Sequence, residues 1–474
     1  MTQRTLARRT LLMATIGLAI GPRLVRAQTS ESERGPGGLL VATANGSVDL
    51  VDAISGATMV SFATAGTPIA AWAGTAPGTA ILQTDTELAV LNTNDGSSKP
   101  ISLAADVGAQ ILPSSIQFRG SEGIQNMLLG TASSGADTFV VDLRTGERMA
   151  VIGLLGVTPP PVQLSNVAIA ADDVHLLAWD GRTTWIVDLE TRVARVLGTA
   201  PFTFSAGFSP DGTRLVYSQQ PTRGKTEIRM QTVDGTDDRV LFQSDDILVG
   251  LWIPGGERML LDDRTDSGGT LSIFNPVTER RLELLSYTGA TSIVQFAIDG
   301  VAALVGIEGA SGRDWYWLDL SGDTATATLL TDLQDAVVSP GFAFHADVAV
   351  AWMAPTDLVS GRVKGVNLPT GKITTFLQAI ESDAEVSQPM IAPFGPGALL
   401  TVDSFTEFAV HFLNFTDGSD QAVDLMKGGS AVIAPTGDQF AVIHDLNSGQ
   451  HATVVYDAHG NEGMTVPGEA LAWL

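Results

Sequence analysis

The sequence contains no cysteine, and this absence excludes several kinds of chemistry at once. Without a thiol, the chain forms no disulfide, thiolate zinc site, iron–sulfur cluster or thioether-linked haem. Basic residues are also scarce, with 27 Lys and Arg against 52 Asp and Glu. The negative electrostatic field of such a protein repels phosphate backbones and anionic membrane surfaces. We therefore expect no nucleic-acid partner, and we expect cations or basic protein surfaces to be attracted.

Catalytic motifs are absent as well. The sequence has no G-x-S-x-G, no H-E-x-x-H, no G-x-G-x-x-G after a strand and no complete phosphate loop. Thr370-Gly371-Lys372 is similar to part of such a loop, but Ile373 stands where Ser or Thr is required, which predicts a hairpin turn. The sequence thus identifies no catalytic, cofactor-binding or metal-ligating residue, and a non-enzyme is favoured over an enzyme.

Residues 1–27 have the composition of an export signal. Basic residues precede an apolar stretch from Leu11 to Gly21, and a V-x-A cleavage pattern ends at Ala27. Arg8-Arg9 followed by Thr-Leu-Leu resembles a twin-arginine signal, and an ordinary secretory signal is the alternative. An apolar stretch of this length is too short to remain as a membrane anchor. We predict a periplasmic, cell-wall associated or extracellular protein with no membrane insertion after cleavage.

Cleavage at this point would make the protein still more acidic. Residues 1–27 hold five of the 27 basic residues and none of the 52 acidic ones, so the remainder has 22 basic residues and a net charge of −30. Such a surface keeps an exported protein in solution. Residues 28–37 are predicted to form a flexible segment before a folded region at 38–474.

A hairpin pattern recurs along the chain, in which a short apolar run, a turn and a second apolar run follow one another. FSPDGTRLVYS from Phe208, VAIAADDVHLLAW from Val167 and LWIPGGERMLLD from Leu251 are three copies. Gly, Asp and Pro supply the turn backbone in each. These segments predict antiparallel β-hairpins.

A second pattern alternates with the hairpins: a strand that ends in Asp or Asn and is followed by a polar turn. The matching positions are spaced by 40 to 50 residues and are Asp52, Asn92, Asp142, Asp188, Thr232 as a substitute, Asn275, Asp319, Asn367, Asn414 and Asp457. A period of about 45 residues with four short strands per unit is typical of β-propeller blades. We predict an all-β protein of about ten four-stranded antiparallel blades.

The FSPDGTRLVYS stretch resembles the repeat of TolB-like and WD-repeat-like bacterial propellers, and the turn from Asp142 to Gly146 resembles those of several exported propeller families. The resemblance covers nearly all of residues 38–474. It implies the fold and little about function, because the shared residues form turns. The Gly-His and Trp-Asp signatures of eukaryotic WD repeats are not kept.

The two ends of the chain suggest how a ring would close. The C-terminal EALAWL resembles the first strand of the other units, as in IAAWA from Ile69, and LLVATANGSVDLVDAISG near the N-terminus supplies a second and third strand. Joined, these segments complete one blade. Ten blades exceed the usual four to eight, so two smaller propellers are the alternative. The repeat pattern is least regular between Asn92 and Asp142 and at the Thr158-Pro-Pro-Pro161 loop that follows.

Several groups of residues are weak candidates for a site. Asp262, Asp263 and Asp266, and Asp445 with Asn447, offer oxygen ligands for calcium, although turn closure is the favoured role. Three histidines fall within one unit, at His444, His451 and His459. Trp315 and Trp317 flank Tyr316 in a strand and would either bind a sugar or, as favoured, pack between blades.

Three classes of function remain. The favoured one is a noncatalytic scaffold of the cell envelope that binds a protein or an envelope polymer. The second is an exported enzyme, such as a lactonase, a glycan-active hydrolase or a quinone-cofactor dehydrogenase, since propellers host such chemistry at the channel mouth. The third is a sensor of small ligands or carbohydrates. No cofactor is predicted beyond the weak case for calcium.

Overall fold

The structure is a computed structural model. It describes residues 38–73, 78–101, 117–119, 127–131, 138–142, 147–157, 164, 166–170, 172, 174–180, 183–197, 203–222, 225–297, 299–309, 312–322, 324–334, 336–339, 347–353, 361–380, 384–387, 389–392, 395–404, 408–425, 429–446 and 450–474. The predicted export signal and the predicted flexible segment 28–37 lie outside these residues, as does the loop 158–163.

The described residues form ten antiparallel sheets, and nine of these contain four strands. They are numbered here in chain order, and strands are given from first to fourth. Sheet 1 contains β41 (Glu469–Trp473), β1 (Gly38–Ala42), β2 (Val48–Asp52) and β3 (Thr58–Phe62). Sheet 2 contains β4 (Pro68–Ala73), β5 (Thr79–Thr84), β6 (Leu88–Asn92) and β7 (Ser98–Ile101). Sheet 3 contains β8 (Gln117–Arg119), β9 (Met127–Thr131), β10 (Thr138–Asp142) and β11 (Glu147–Ala150).

Sheets 4 to 7 follow the same order. Sheet 4 contains β12 (Asn166–Ile169), β13 (His175–Trp179), β14 (Thr184–Asp188) and β15 (Val193–Val196). Sheet 5 contains β16 (Thr203–Phe208), β17 (Arg214–Thr222), β18 (Lys225–Thr232) and β19 (Arg239–Ser244). Sheet 6 contains β20 (Ile247–Trp252), β21 (Met259–Arg264), β22 (Gly268–Asn275) and β23 (Arg280–Thr288). Sheet 7 contains β24 (Ala290–Phe296), β25 (Ala302–Gly309), β26 (Gly312–Asp319) and β27 (Thr326–Leu329).

Sheets 8 to 10 complete the series. Sheet 8 contains β28 (Val337–Ser339), β29 (Val348–Met353), β30 (Gly361–Asn367) and β31 (Lys372–Ile380). Sheet 9 has a divided first strand and contains β32 (Glu385–Val386), β33 (Met390–Ile391), β34 (Gly397–Asp403), β35 (Phe408–Asn414) and β36 (Ser419–Asp424). Sheet 10 contains β37 (Ser430–Ile433), β38 (Gln439–Leu446), β39 (Gln450–Asp457) and β40 (Glu462–Pro467).

Helix is confined, in the described ranges, to two single turns at Val151–Leu154 and at Thr331–Leu333. Neither is long or apolar enough to cross a membrane. The prediction of an all-β protein built from four-stranded antiparallel sheets is therefore confirmed.

The hairpin of FSPDGTRLVYS shows why these segments fold locally. The N–H of Ser209 donates to the carbonyl of Arg214, and the N–H of Arg214 donates to the hydroxyl of Ser209, 2.9 Å away. Gly212 has a φ of +74°, a conformation that side chains disfavour. The segment is one hairpin of sheet 5, and its turn residues have a structural role.

The ten predicted period positions all occupy one place in the fold. Each is the last residue of the third strand of its sheet, from Asp52 at the end of β2 to Asp457 at the end of β39. Thr232, the predicted substitute, ends β18 in the same way. We call these ten residues the period residues. The end of each sheet that holds the turns after the first and third strands is called the turn face, and the opposite end is called the link face.

Neighbouring sheets share their cores. Nine hydrophobic clusters of described residues each combine side chains from two consecutive sheets, beginning with sheets 3 and 4, continuing through sheets 10 and 1, and ending with sheets 1 and 2. The first strands of neighbouring sheets are also close to one another: β16 contacts β20, and β37 contacts β41. The core is therefore distributed between the sheets. Segment 102–116, between sheets 2 and 3, lies outside the described residues.

Sheet 1 is assembled from distant parts of the sequence. β41 pairs antiparallel with β1, with Leu39 opposite Trp473 and Ala42 opposite Glu469. Trp473 is 4% exposed, and its indole nitrogen donates to the carbonyl of Val432 in sheet 10. The predicted pairing of N- and C-terminal strands is present in the structure.

Candidate functional site

Asp262 lies at the centre of a buried polar cluster between sheets 6 and 7. Its carboxylate accepts hydrogen bonds from the Nε of Arg264, the hydroxyl of Tyr287 and the hydroxyl of Thr291. Thr291 belongs to sheet 7 and the other three residues to sheet 6, and all four side chains are buried. Three hydrogen bonds take up most of the acceptor capacity of a carboxylate. The cluster therefore joins two sheets at their link face.

A glycine makes room for this cluster. A Cβ on Gly269 would lie 2.4 Å from the hydroxyl oxygen of Tyr287. The phenol therefore fits beside this position of β22 only because the residue there is glycine. Burial, followed by the negative charge of Asp262, raises the pKa of Tyr287 well above its usual range. The phenol consequently keeps its proton and acts as a hydrogen-bond donor.

The acidic residues beside Asp262 do not converge with it. Adjacent strand residues face opposite sides of a sheet, and Asp263 faces sheet 5, where its Oδ1 accepts from the hydroxyl of Ser244 at 2.9 Å. Asp266 is exposed in the turn that follows β21. The interpretation of Asp262 and Asp263 as turn-closing residues is wrong, because both lie within β21.

The three histidines of sheet 10 are likewise separated. Asp445 is paired with His451 and His444 with Ala452, which places His444 and His451 on opposite sides of the sheet. His459 lies in a turn at the far end of β39. Asn447 is outside the described residues. In the part of the chain that the structure describes, no three His, Cys, Asp or Glu side chains are grouped so that they could hold a metal ion.

Both tryptophans of the Trp-Tyr-Trp stretch pack between sheets. Trp315 is fully buried, and its indole nitrogen donates to the carbonyl of Ala336, 3.0 Å away. Trp317 donates to the carbonyl of Leu368 in sheet 8 at 2.6 Å. Tyr316 faces the other side, towards the cluster shared with sheet 6. The favoured prediction, packing rather than sugar binding, is confirmed.

Thr370 and Gly371 form the predicted hairpin turn between β30 and β31. The N–H and hydroxyl of Thr370 donate to the side-chain oxygen of Asn367, and Gly371 has a φ of +67°. A Cβ on Gly371 would lie 2.7 Å from the indole ring of Trp317. The turn thus provides a surface on which a tryptophan of the preceding sheet packs.

The turn face carries a carboxylate in eight of the ten sheets, counting only the described turns after third strands. These are Asp52, Asp95, Asp188, Asp234, Glu279, Asp319, Asp417 and Asp457. Several accept hydrogen bonds from turn N–H groups, as Asp52 does from Ser55 at 2.7 Å. Hydrogen bonds from the Thr232 hydroxyl and from Thr236 lower the pKa of Asp234 to about 2. The turn face therefore remains negatively charged well below neutral pH.

Four hydrogen bonds between neighbouring sheets hold these turns in place and were not predicted from the sequence. In each, a side chain of one sheet donates to a backbone carbonyl of the next sheet. That carbonyl belongs to the residue directly after a period residue. The four pairs are Arg195 with Val233, Arg239 with Pro276, Arg258 with Leu320, and Trp317 with Leu368. Arg195 and Arg239 lie in the fourth strands of their sheets, whereas Arg258 lies in a turn and Trp317 in a third strand, so no single sequence signal marks all four donors.

Consecutive four-stranded antiparallel sheets that pack face to face and share their cores are the architecture of a β-propeller. No family model and no curated protein matches this sequence. Among solved structures, the chain is similar to a eukaryotic initiation factor with a TM-score of 0.52 and 11% identity, covering 93% of this chain and 98% of the other. TolB from Acinetobacter baumannii matches at a TM-score of 0.27 and 13% identity over 66% of this chain and 81% of TolB. At 11% identity the likeness to the initiation factor concerns the fold alone.

Proposed function

We propose that this protein is a single closed ring of ten blades that acts outside the cytoplasm as a noncatalytic scaffold. The continuous series of shared cores from sheet 3 around to sheet 2 supports one ring over two smaller ones, because a second ring would interrupt it. The pairing of β1 with β41 supplies the seam. The signal-like composition of residues 1–27 supports export.

The scaffold proposal rests on the rigid and acidic turn face. Its carboxylates recur from sheet to sheet, and turn N–H groups hydrogen-bond to several of them. Long side chains of the preceding sheet also hydrogen-bond to these turns and fix them in place. A rigid surface loses little conformational entropy on binding. Its charge attracts a basic partner and repels acidic ones. The partner is therefore a protein or envelope polymer with a cationic surface.

The use of the other polar residues agrees with this role. Asp262 is occupied by three donors, and the indole nitrogens of Trp315 and Trp317 are bonded to backbone carbonyls. These side chains stabilise contacts within and between sheets. A binding role needs such a fixed framework and requires no reactive group.

The test compares two variants in which three carboxylates are neutralised. One carries Glu190→Gln, Asp237→Asn and Glu257→Gln, which are exposed on the turn faces of sheets 4, 5 and 6. The control carries Asp245→Asn, Asp246→Asn and Asp266→Asn, which are exposed on the link face. Tagged proteins are crosslinked in their own cells, and the envelope fractions are compared by quantitative mass spectrometry.

We expect a basic partner to be recovered with the unmodified chain and the control, and to fall several-fold with the turn-face variant. Equal recovery with both variants would contradict the role of the turn face. Native mass spectrometry of the unmodified protein is the second measurement. A stoichiometric organic cofactor would overturn the noncatalytic proposal in favour of an enzyme.

A further inference from the structure

The turn between β1 and β2 carries the only Asn-Gly pair in the sequence, Asn45-Gly46. Asn45 and Gly46 are exposed, and Thr43 and Ser47 at the base of the turn are half-buried. The N–H of Thr43 donates to the carbonyl of Ser47 at 2.9 Å, and the N–H of Gly46 donates to the carbonyl of Thr43 at 3.0 Å. The pair therefore lies at the tip of a hairpin, on the link face of sheet 1.

The backbone nitrogen of Gly46 is placed to react with the side chain of Asn45. The nitrogen that follows an asparagine can attack the carbon of the side-chain amide and close a five-membered ring, and such an intramolecular step is favoured by proximity. A side chain on the following residue hinders this attack, and glycine has none. No described atom lies within 4 Å of the position that a Cβ on Gly46 would take. The ring that forms therefore has room at this site.

The side-chain carbonyl of Asn45 is held by several donors. Its Oδ1 accepts hydrogen bonds from the N–H of Ser47 at 3.1 Å, from the hydroxyl of Ser47 at 2.9 Å and from the hydroxyl of Thr43. Negative charge develops on this oxygen when the Gly46 nitrogen attacks the amide carbon. Donors that already point at such an oxygen stabilise the tetrahedral intermediate. The turn thus combines an unhindered nucleophile with donors for the oxyanion.

One contact opposes the reaction. The hydrogen bond from the Gly46 N–H to the carbonyl of Thr43 must open before the nitrogen can lose its proton to solvent. A single hydrogen bond in an exposed turn lowers the population of the open form by about tenfold. The turn therefore slows the attack without preventing it.

We propose that Asn45 is a modification site, at which the folded chain converts asparagine to isoaspartate and aspartate. The Gly46 nitrogen forms a bond to Cγ of Asn45 and gives its proton to solvent. The Cγ–Nδ2 bond then breaks, and the amide nitrogen takes a proton from solvent and leaves as ammonia. Water adds to either carbonyl carbon of the resulting succinimide ring. Opening at the main-chain carbon gives isoaspartate, and opening at Cγ gives aspartate.

The modification would alter sheet 1. An isoaspartate adds one carbon to the main chain of a turn whose ends, Thr43 and Ser47, are paired, and it adds a negative charge. β1 pairs with β2 on one side and with β41 on the other, so a disturbed turn weakens the strand that holds the C-terminal strand. This proposal does not depend on the acidic turn face, because Asn45 lies at the other end of sheet 1.

The test incubates the full chain, folded and also unfolded in urea, in the same mildly alkaline buffer. Peptide mapping by mass spectrometry follows the replacement of NH2 by OH at each asparagine, and electron-transfer fragmentation distinguishes isoaspartate from aspartate. Asn94 and Asn461 are internal controls, since both are exposed and each is followed by an acidic residue. Ser47→Ala removes one donor to Oδ1, and circular dichroism establishes that this variant is folded.

We expect conversion at Asn45 in the folded chain and none at Asn94 or Asn461. The rate should rise with pH, because the Gly46 nitrogen attacks after losing its proton. Ser47→Ala should slow the conversion about tenfold in the folded chain, through loss of one hydrogen bond to the oxyanion, and should leave the rate in urea unchanged.

Conversion in urea but not in the folded chain would overturn the proposal, as would equal rates for Ser47→Ala and the unmodified chain when both are folded. The effect on sheet 1 has its own control, Asn45→Gln, which forms the corresponding larger ring much more slowly. Incubation should lower the urea midpoint of the unmodified chain and leave that of Asn45→Gln unchanged. Equal midpoints after incubation would contradict a weakened sheet 1.

Discussion

The guanidinium of Arg258 in sheet 6 donates from Nη2 to the carbonyl of Leu320 in sheet 7 at 2.6 Å, and from Nη1 to the carbonyl of Gly322 at 2.8 Å. Leu320 directly follows the period residue Asp319, and its N–H donates to the carbonyl of Val301 in the other turn of sheet 7. The backbone N–H and carbonyl of one residue, Leu320, thus join the two turns of sheet 7 to each other and to the preceding sheet.

Removal of this guanidinium should destabilise the protein measurably. Arg258→Met keeps much of the apolar stem and leaves two carbonyls without their charged donor, at a cost of about 1–3 kcal/mol. The free energy of unfolding is measured from urea titrations. Arg280→Met, at the exposed first residue of β23 in the same sheet, is the control, and an equal loss in both variants would contradict a specific clamp.

Loss of the Asp262 carboxylate should be more damaging. Asp262→Ala leaves the Arg264 guanidinium buried without its counter-ion, and removing one partner of a buried pair costs about 3–5 kcal/mol. Asp266→Ala, in the exposed turn beside it, should change the free energy of unfolding by no more than about 0.5 kcal/mol. If Asp262→Ala is no less stable than Asp266→Ala, the cluster does not join sheets 6 and 7.

Two glycine substitutions separate backbone strain from steric clash. Gly371 and Gly322 have φ values of +67° and +76°, but a Cβ would meet Trp317 only at Gly371 and would meet nothing within 4 Å at Gly322. The left-handed conformation costs a non-glycine residue about 1–2 kcal/mol. Gly322→Ala should show this loss in thermal or urea unfolding, and Gly371→Ala a larger one. Similar losses of stability in the two variants would mean that the Trp317 ring moves aside without cost and that the clash at Gly371 is not significant.

The pair of His175 and Asp172 should make stability depend on pH. The hydrogen bond to Asp172, 2.6 Å from Nδ1, raises the pKa of His175. A raised folded-state pKa means that the stabilisation is complete below the unfolded pKa of about 6.5 and is lost as the pH rises through the folded-state value. Urea midpoints of the unmodified chain and His175→Gln should therefore converge above neutral pH and diverge towards pH 5.5. A constant difference across this range would rule out the linkage.

A pair of engineered cysteines tests the seam of sheet 1. Ala42 lies opposite Glu469, and antiparallel partners have Cα atoms about 4.5–5.5 Å apart, which is within reach of a disulfide. Because the chain has no other cysteine, Ala42→Cys with Glu469→Cys should give an intramolecular disulfide on mild oxidation, seen as a mobility shift that dithiothreitol reverses. Ala42→Cys with Ser430→Cys is the control, since these residues are not paired. Failure of the first pair to close would contradict the seam.

The regular part of the fold could be predicted from the sequence because it is local. The period residues close turns with their own neighbours, as Asn367 does with Thr370, so a repeat at fixed spacing marks them. Thr232 is predicted from its spacing alone. Its hydroxyl donates to Asp234 and to the carbonyl of Thr236, and Asp234 in place of the period residue accepts from the turn N–H of Thr236.

The polar contacts between sheets could not be predicted in this way. Asp262 and Asp263 are adjacent in the sequence, yet they face different neighbouring sheets, and their partners Thr291 and Ser244 lie on opposite sides of them along the chain. Which donor reaches which acceptor depends on how two sheets stack. A repeat pattern contains no information about that relation.

The pairing of β1 with β41 also has a consequence for the order of folding and opening. Every other sheet is completed by strands close in sequence, whereas Ala42 and Glu469 are separated by about 430 residues. Closing a loop of that length is entropically costly, and contacts of such separation form late. Hydrogen exchange at the β1–β41 strand pair should therefore report a local opening that leaves the other sheets intact. In the proposed closed ring, sheet 1 is the sheet expected to open before the others.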